Sequence, residues 1–138
     1  PRRAALMHTK LKKDGVSFMD SMNPNWNMET DIIREFDYKT TIPILLIPIT
    51  KESRSFGILG ELPWLIIYSL LNGTKIACYI EDRDPHLDKD SFRTRTLVKA
   101  HLSKILEQYP NLFFMADSME QLTNFGIYQA KQLANSLK

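Results

Sequence analysis

The sequence predicts an α/β fold in which a parallel sheet lies between two layers of helices. Two segments, Pro43–Thr50 and Lys75–Ile80, are almost continuously apolar, which is typical of strands buried on both faces. Segments with helical periodicity separate such runs, and this alternation indicates a parallel sheet. The 138 residues, 43% of them hydrophobic, suit one domain with an ordinary core. We therefore expect residues 1–138 to form a single domain.

The first third of the chain predicts a helix, a short strand, a loop and a second helix. Apolar residues at helical spacing run up to a stop signal at Asp14-Gly15. The apolar run Val16–Met19 indicates a short strand, and Asp20–Asn27 is rich in loop-forming residues. A helix is expected over Met28–Thr40, which carries apolar side chains at helical spacing: Ile32, Ile33 and Phe36.

The rest of the chain alternates strands with helices. In order, we expect a strand over Pro43–Thr50, a helix up to Leu71, a strand over Lys75–Ile80, a helix over Ser91–Tyr109, a strand over Leu112–Met115 and a C-terminal helix. Asn72-Gly73 and Pro110 supply stop signals. Ser118-Met119-Glu120-Gln121 is a plausible capping box for the last helix.

This assignment gives one more helix than strands, which is lopsided for an alternating fold. A first strand before residue 1 would complete a five-stranded, flavodoxin-like or Rossmann-like sheet with helices on both faces. Ligands of such sheets bind beyond the carboxyl ends of the strands. The rule selects four segments: Asp20–Trp26, Thr50–Glu61, Glu81–Asp84 and Ala116–Ser118.

Charge and cysteine content argue against several classes of protein. The net charge of +2 is nearly balanced, and the basic groups Lys10-Lys12-Lys13 and Arg93-Arg95-Lys99 are typical of solvated faces, so no nucleic-acid partner is expected. The single cysteine, Cys78, is expected in the core, and its isolation favours a reducing, cytoplasmic location. No apolar stretch approaches the ~20 residues of a membrane span, so no membrane partner is expected.

Several motifs of catalysis and cofactor binding do not occur. No His, Cys, Asp and Glu grouping has the spacing of a zinc site. The sequence contains neither a GxGxxG motif nor a phosphate-binding loop lysine, and it has no Ser-His-Asp signature. We therefore expect neither a metal ion nor another cofactor.

A carboxylate, Glu61, stands among apolar residues after the turn at Gly57. Because Pro63 can help to start a helix, Glu61 is expected in a first helical turn, where the helix dipole favours an ionised carboxylate. Such a group is a good nucleophile toward an oxocarbenium-like carbon. The spacing alone also fits a glutamate that merely complements the dipole.

Two further motifs allow a structural and a functional interpretation. Asn23-Pro24-Asn25-Trp26 is either a plain turn or a loop that offers amides and an aromatic face to a planar ligand. Glu35 and Lys39 are spaced i, i+4, so they are expected to pair on a helix surface.

Taken in order, the motifs resemble the nucleoside 2-deoxyribosyltransferase-like family. They are Asn23-Pro24, Trp26, Glu35-x-x-x-Lys39, Ile44–Thr50 and Gly57-x-x-x-Glu61. In that family the Glu of the last motif opens a helix and acts as the nucleophile. The resemblance covers residues 1–82 in motifs and the remainder in its strand and helix pattern.

The resemblance implies an enzyme that breaks or transfers an N-glycosidic bond. Glu61 would attack the anomeric carbon of a deoxyribosyl group and form a covalent glycosyl-enzyme. Gly57 would allow close approach of the sugar, Asn23 and Trp26 would line the pocket, and Glu35 would contact the base.

The chain departs from the family six residues before the nucleophile. The classical transferases have an Asp there that assists the leaving base, whereas this chain has Ser55. The implied ligand is a nucleoside or nucleotide. Self-association is expected by analogy, because related transferases complete their sites with a neighbouring subunit.

Two rival interpretations remain open. Toll/interleukin-1 receptor domains share the predicted strand order and have a Glu-Leu pair like Glu61-Leu62; some of them cleave NAD at the nicotinamide–ribose bond. The other interpretation is a nucleotide-binding or scaffold domain without turnover.

Overall fold

The computed structural model describes residues 2–18, 27–52 and 55–137. Within these ranges the elements follow one another as α1 (Arg2–Lys13), α2 (Met28–Thr41), β1 (Ile44–Ile49), α3 (Phe56–Asn72), β2 (Lys75–Ile80), α4 (Lys89–Gln108), β3 (Phe113–Met115) and α5 (Met119–Ser136).

The described strands form one parallel sheet in the order β1-β2-β3. β1 and β2 pair along their full length, from Ile44 opposite Lys75 to Ile49 opposite Ile80. β3 is shorter and pairs only with the middle of β2. The predicted α/β class is therefore confirmed.

Successive side chains along each strand point to opposite faces of the sheet and pack against different helices there. Ile47 and Cys78 face one side, where they pack with the apolar stripes of α3 and α4. Leu46 and Ala77 face the other side, where they pack with α1 and α5. Because both faces are covered, the strands must be apolar throughout, as their sequences are.

Cys78 lies in the core as predicted. Its side chain is 3% exposed, and burial raises the pKa of the thiol to about 12. The thiol is therefore protonated at neutral pH and behaves as a small apolar group.

The predicted strand over Val16–Met19 is wrong for its described part. Val16–Phe18 belongs to no strand, and Met19 lies outside the described residues. These residues line a cavity together with the beginning of β1, and no strand within the described ranges pairs with them. The expected strand before residue 1 lies outside the sequence and stays a prediction.

α2 forms as predicted, but its apolar side chains are not buried. Ile32, Ile33 and Phe36 are 49%, 63% and 42% exposed. The helix packs chiefly against α3 instead of the sheet. It is therefore held by a few side chains of its neighbour, and most of its apolar face is uncovered.

The remaining helices show how local sequence sets helix ends. The Ser118 hydroxyl accepts a hydrogen bond from the Gln121 N–H at 3.0 Å, which confirms the N-cap of the predicted box. The Gln121 side chain returns to the Asp117 N–H instead of the cap residue itself. In the described ranges, no helix has the length and apolar character needed to cross a bilayer.

Replacing Leu62 by alanine tests the packing of α3 on the sheet. Leu62 is 1% exposed, so we expect a loss of about 2–5 kcal/mol in the free energy of unfolding. Urea denaturation measures it. Leu97→Ala on α4 is the control, because Leu97 is 58% exposed and its loss should stay within about 0.5 kcal/mol. Equal losses for the two variants would contradict the packing.

Candidate active site

The site is built on the connection between β1 and α3. β1 ends at Ile49, and α3 begins at Phe56 after an N-cap at Ser55 with φ 57° and ψ 30°. The left-handed conformation turns the chain sharply at the carboxyl end of the strand. α3 therefore starts on the side of the sheet where ligands of this architecture bind.

Glu61 lies deeper in α3 than the sequence indicates. The helix starts at Phe56 and Pro63 lies inside it, so Glu61 belongs to the second turn. The predicted first-turn position is wrong, because the chain turns at Ser55 and Pro63 does not start the helix. The benefit of the helix dipole falls off within the first turn, so the dipole does not explain this carboxylate.

A lysine from another helix holds Glu61. The Lys39 Nζ lies 2.6 Å from Glu61 Oε2 and 3.6 Å from Glu35 Oε2. The Lys39 side chain is 13% exposed, whereas that of Glu61 is 34% exposed. One oxygen of Glu61 is thus fixed by a charge-assisted hydrogen bond while the side chain stays open to solvent.

The predicted ion pair of Glu35 and Lys39 is confirmed. Lys39 also contacts Glu61, so the ion pair is part of a group of three charged residues. Glu35 and Lys39 belong to α2, and Glu61 belongs to α3. The lysine therefore lies between two carboxylates, which it bridges across the helix interface.

Three aromatic side chains pack together in the interface between α2 and α3, next to the ion pair. Phe36 stacks on Trp64 with ring centroids 5.5 Å apart, and Tyr68 meets both rings edge-on. Trp64 is half-buried and packs against the core. The partly exposed ring of Phe36 offers an apolar surface near the ion pair.

The helix face one turn before Glu61 is open. Gly57 precedes Glu61 by four residues, so the two lie on the same side of α3. A Cβ at Gly57 would meet no atom within 4 Å, and the same holds at Gly60. The backbone is therefore open to close approach here, and the contact with a sugar that the resemblance implies for Gly57 stays a prediction.

The remaining predicted residues divide into two groups. Glu35 is brought to Glu61 through Lys39, and Ser55 occupies the N-cap position of the helix that carries Glu61, without a capping hydrogen bond from its side chain. Asn23 and Trp26 lie outside the described residues, so their predicted contact with a ligand stays a prediction.

A second polar group lies at the carboxyl end of the sheet, in the segment Glu81–Asp84 that the strand-end rule selects, and it includes Tyr79, which no motif singles out. Glu81 accepts hydrogen bonds from the Lys51 N–H at 2.7 Å and from the Tyr79 hydroxyl at 3.2 Å. Glu81 and Tyr79 border a cavity of about 580 Å³. Their i, i+2 spacing at a strand end places them on one face, which is a signal that the sequence contains.

The cluster Arg93-Arg95-Lys99 was predicted to be a solvated face, and this prediction is wrong for Arg95. It is fully buried, and its Nη1 donates to the Glu81 carbonyl at 2.7 Å. Burial lowers the pKa of Arg95, and the charge of Arg83 lowers it further, while Asp82 and Asp88 act in the opposite direction. The arginine thus ties α4 to the loop that follows β2.

Among the residues that the structure describes, no group of three or more His, Cys, Asp and Glu side chains is arranged to hold a metal ion. No family model, curated protein or solved structure matches the chain.

A double-mutant cycle tests the contact between α2 and α3. We expect Lys39→Met and Glu61→Gln to show a coupling of about 0.2–1 kcal/mol in the free energy of unfolding, because the pair is partly open to solvent. Urea denaturation of the two single variants and the double variant measures it. The more exposed pair of Lys99 and Asp82 is the control and should couple less. A coupling of zero for Lys39 and Glu61 would contradict the contact.

Proposed function

We propose that this chain cleaves or transfers the N-glycosidic bond of a nucleoside or nucleotide, with Glu61 as the nucleophile. The proposal rests on one observation, namely that the carboxylate of Glu61 is held in position and is also accessible. Lys39 fixes one oxygen at 2.6 Å, and the adjacent helix face at Gly57 is open to a ligand. A nucleophile needs this combination of fixed orientation and access.

The reaction would proceed in two displacements at the anomeric carbon. In the first, a Glu61 oxygen forms a bond to C1′ while the bond from C1′ to the base nitrogen breaks, and its electron pair leaves with the base. The departing base takes a proton from water. In the second, a water oxygen or a nitrogen of another base forms a bond to C1′ and loses its proton to solvent, while the bond from C1′ to Glu61 breaks and its electron pair returns to the carboxylate.

Ser55 bears on which base can leave. A serine hydroxyl donates a hydrogen bond but does not act as an acid near neutral pH, so it cannot protonate the departing base as an Asp can. Bases that leave without prior protonation are therefore favoured. Nicotinamide leaves NAD as a neutral molecule, and this observation supports NAD cleavage as the second candidate function.

Glu61→Gln tests the role of the carboxylate. We expect the wild-type chain to release base from at least one member of a panel of deoxynucleosides, their monophosphates and NAD, and the variant to lose this activity by roughly a thousandfold or more. Chromatography of the released base and of the sugar product measures both. Glutamine keeps the size of the side chain but removes its negative charge.

Glu107→Gln is the matched control, because Glu107 is an exposed residue of α4, away from the site. It should keep full activity. Base release from deoxynucleosides supports the first substrate class, and nicotinamide release alone supports the second and rejects the first. Ligand binding with equal, negligible turnover in wild type and variant would reject the enzyme and leave a binding domain.

We also propose that the chain self-associates through α3. Ile67, Leu70 and Leu71 lie at i, i+3 and i+4 on this helix and are 57%, 40% and 76% exposed. An apolar stripe of this kind is typical of a helix that packs against another surface. A second copy would present the same stripe, so the contact would be symmetric.

Ile67→Glu tests this surface. We expect the variant to sediment as a monomer where the wild type forms a larger species, because a charge in the stripe would lose its hydration on association. Sedimentation velocity over a range of concentrations measures the change. Leu97→Glu on α4 is the control, since Leu97 is also exposed, at 58%, and lies outside the stripe. A wild type that stays monomeric throughout would contradict the proposal.

A further inference from the structure

Glu61 depends on another helix for its counter-charge. It is the one charged residue of α3. The Lys39 Nζ from α2 supplies the opposite charge at 2.6 Å from Glu61 Oε2. α2 has one other basic residue, Arg34, which pairs with Asp31 at 3.2 Å. Within the described ranges, Lys39 is therefore the cation that contacts Glu61.

Lys39 is shared with a second carboxylate. Glu35 Oε2 lies 3.6 Å from the Lys39 Nζ, which is too far for a good hydrogen bond but within the range of an ion pair. The side chains of Glu35 and Glu61 are 23% and 34% exposed, whereas that of Lys39 is 13% exposed. The lysine is thus the most enclosed member of the group. A charge removed from water needs opposite charges nearby, and Lys39 has two of them.

The two carboxylates contact the lysine from different elements. Glu35 precedes Lys39 by one turn of the same helix, so their contact does not depend on α3. Glu61 belongs to α3 and meets Lys39 across the helix interface. The stem of a lysine is flexible. A small movement of the Nζ can therefore shorten one contact at the expense of the other without a change in the backbone.

The charge of Glu61 changes during the proposed reaction. A carboxylate that forms a bond to C1′ becomes a neutral ester, and the second displacement restores its charge. Lys39 therefore has a charged partner in Glu61 before and after the reaction, and an uncharged one in between. Without another anion, the enclosed charge of Lys39 would oppose formation of the ester.

We propose that Glu35 sets the reactivity of Glu61 through Lys39. This inference rests on the proposed role of Glu61 as a nucleophile. In the free protein, Glu35 draws part of the charge of Lys39 away from Glu61, which keeps that carboxylate reactive. When Glu61 becomes an ester, Lys39 turns to Glu35, and it turns back when the second displacement restores the carboxylate. Lys39 keeps its protons throughout, so no proton transfer is involved.

Glu35 is thus a positioning residue. It acts on the reacting carboxylate through the lysine and not by contact with the base, which is the role that the resemblance implies. A Glu35 that only supports α2 through its i, i+4 ion pair would leave the reactivity of Glu61 unchanged. The two roles therefore differ in a measurable property of Glu61.

Alkylation of Glu61 by propylene oxide measures this property without a natural substrate. A Glu61 oxygen forms a bond to an epoxide carbon, the ring C–O bond breaks, and the resulting alkoxide takes a proton from water. Like attack on C1′, this step converts the carboxylate into a neutral ester. Peptide mass spectrometry follows the ester at Glu61 with time. The ester at Glu107, an exposed residue of α4, is the internal reference in the same sample.

Glu35→Gln is expected to slow alkylation of Glu61 by about threefold or more, because Lys39 then holds Glu61 alone. Glu35→Asp keeps the charge and should restore most of the wild-type rate. In a Lys39→Met background, Glu35→Gln should no longer slow the reaction, because the connecting residue is gone. If Lys39→Met does not fold, the Gln and Asp variants of the otherwise unmodified chain decide.

Asp37→Asn is the matched control. Asp37 is an exposed residue of α2. It stands two positions before Lys39, and residues at this spacing do not face each other on a helix. The control thus removes one negative charge from the same helix without removing a partner of Lys39. It should change the alkylation rate of Glu61 by less than about twofold.

The same variant gives a second readout where base release is found. Glu35→Gln should slow the first displacement, which consumes the charge of Glu61, and should not slow the second, which restores it. The fraction of protein held as the glycosyl-enzyme in the steady state should therefore fall. Mass spectrometry of the intact protein after acid quenching measures this fraction, and a rise would contradict the proposal.

Three alkylation results would overturn the proposal. The first is an unchanged rate at Glu61 in Glu35→Gln. The second is an equal slowing by Glu35→Gln and Asp37→Asn, which would assign the effect to the general charge of α2. The third is a slowing that persists in the Lys39→Met background, which would mean that Glu35 acts on Glu61 directly.

Alkylation requires no turnover, so the two proposals can fail separately. If the chain releases no base from any substrate but Glu35→Gln slows alkylation as expected, the proposed function fails and the control of Glu61 through Lys39 stands. If base is released through Glu61 and Glu35→Gln leaves its alkylation unchanged, the present inference alone fails.

Discussion

The pairing of β1 with β2 is the constraint on which the rest of the structure depends. It is the longest ladder among the described residues, and both clusters of buried side chains include residues of these strands. Each helical layer packs on one face of this pair, and the loops that leave its carboxyl end carry Ser55 and Glu81. A loss of this pairing would therefore separate the two helical layers, and at the same time it would move the residues of the candidate site apart.

The sequence predicts strands well where a segment is apolar along its whole length. Pro43–Thr50 and Lys75–Ile80 are apolar throughout, and such runs have no stable place outside a covered sheet. Val16–Met19 has similar composition, but a strand also needs a neighbour, which no local pattern reveals. The start of α3 was misplaced for a related reason: Pro63 is compatible with several helix positions, and the turn at Ser55 decided between them.

The candidate site could be predicted only in part. The motif of Gly57 and Glu61 correctly placed both residues on one helix, because they lie about one turn apart. The contact of Lys39 with Glu61 joins residues 22 positions apart, and only the packing of α2 on α3 brings them together. Arg95 shows the same limit, since its burial depends on a carbonyl of the β2 loop and not on the charges next to it.

Pro48 has a consequence for the behaviour of the chain in concentrated solution. Its missing N–H falls on the side of β1 that faces away from β2, after the donors of Ile44 and Leu46. An exposed strand edge with an unbroken row of donors is a template on which chains stack into aggregates. Pro48, the fifth of the six residues of β1, ends that row after two donors. This side of β1 is therefore a poor template for a continuous ladder between many molecules.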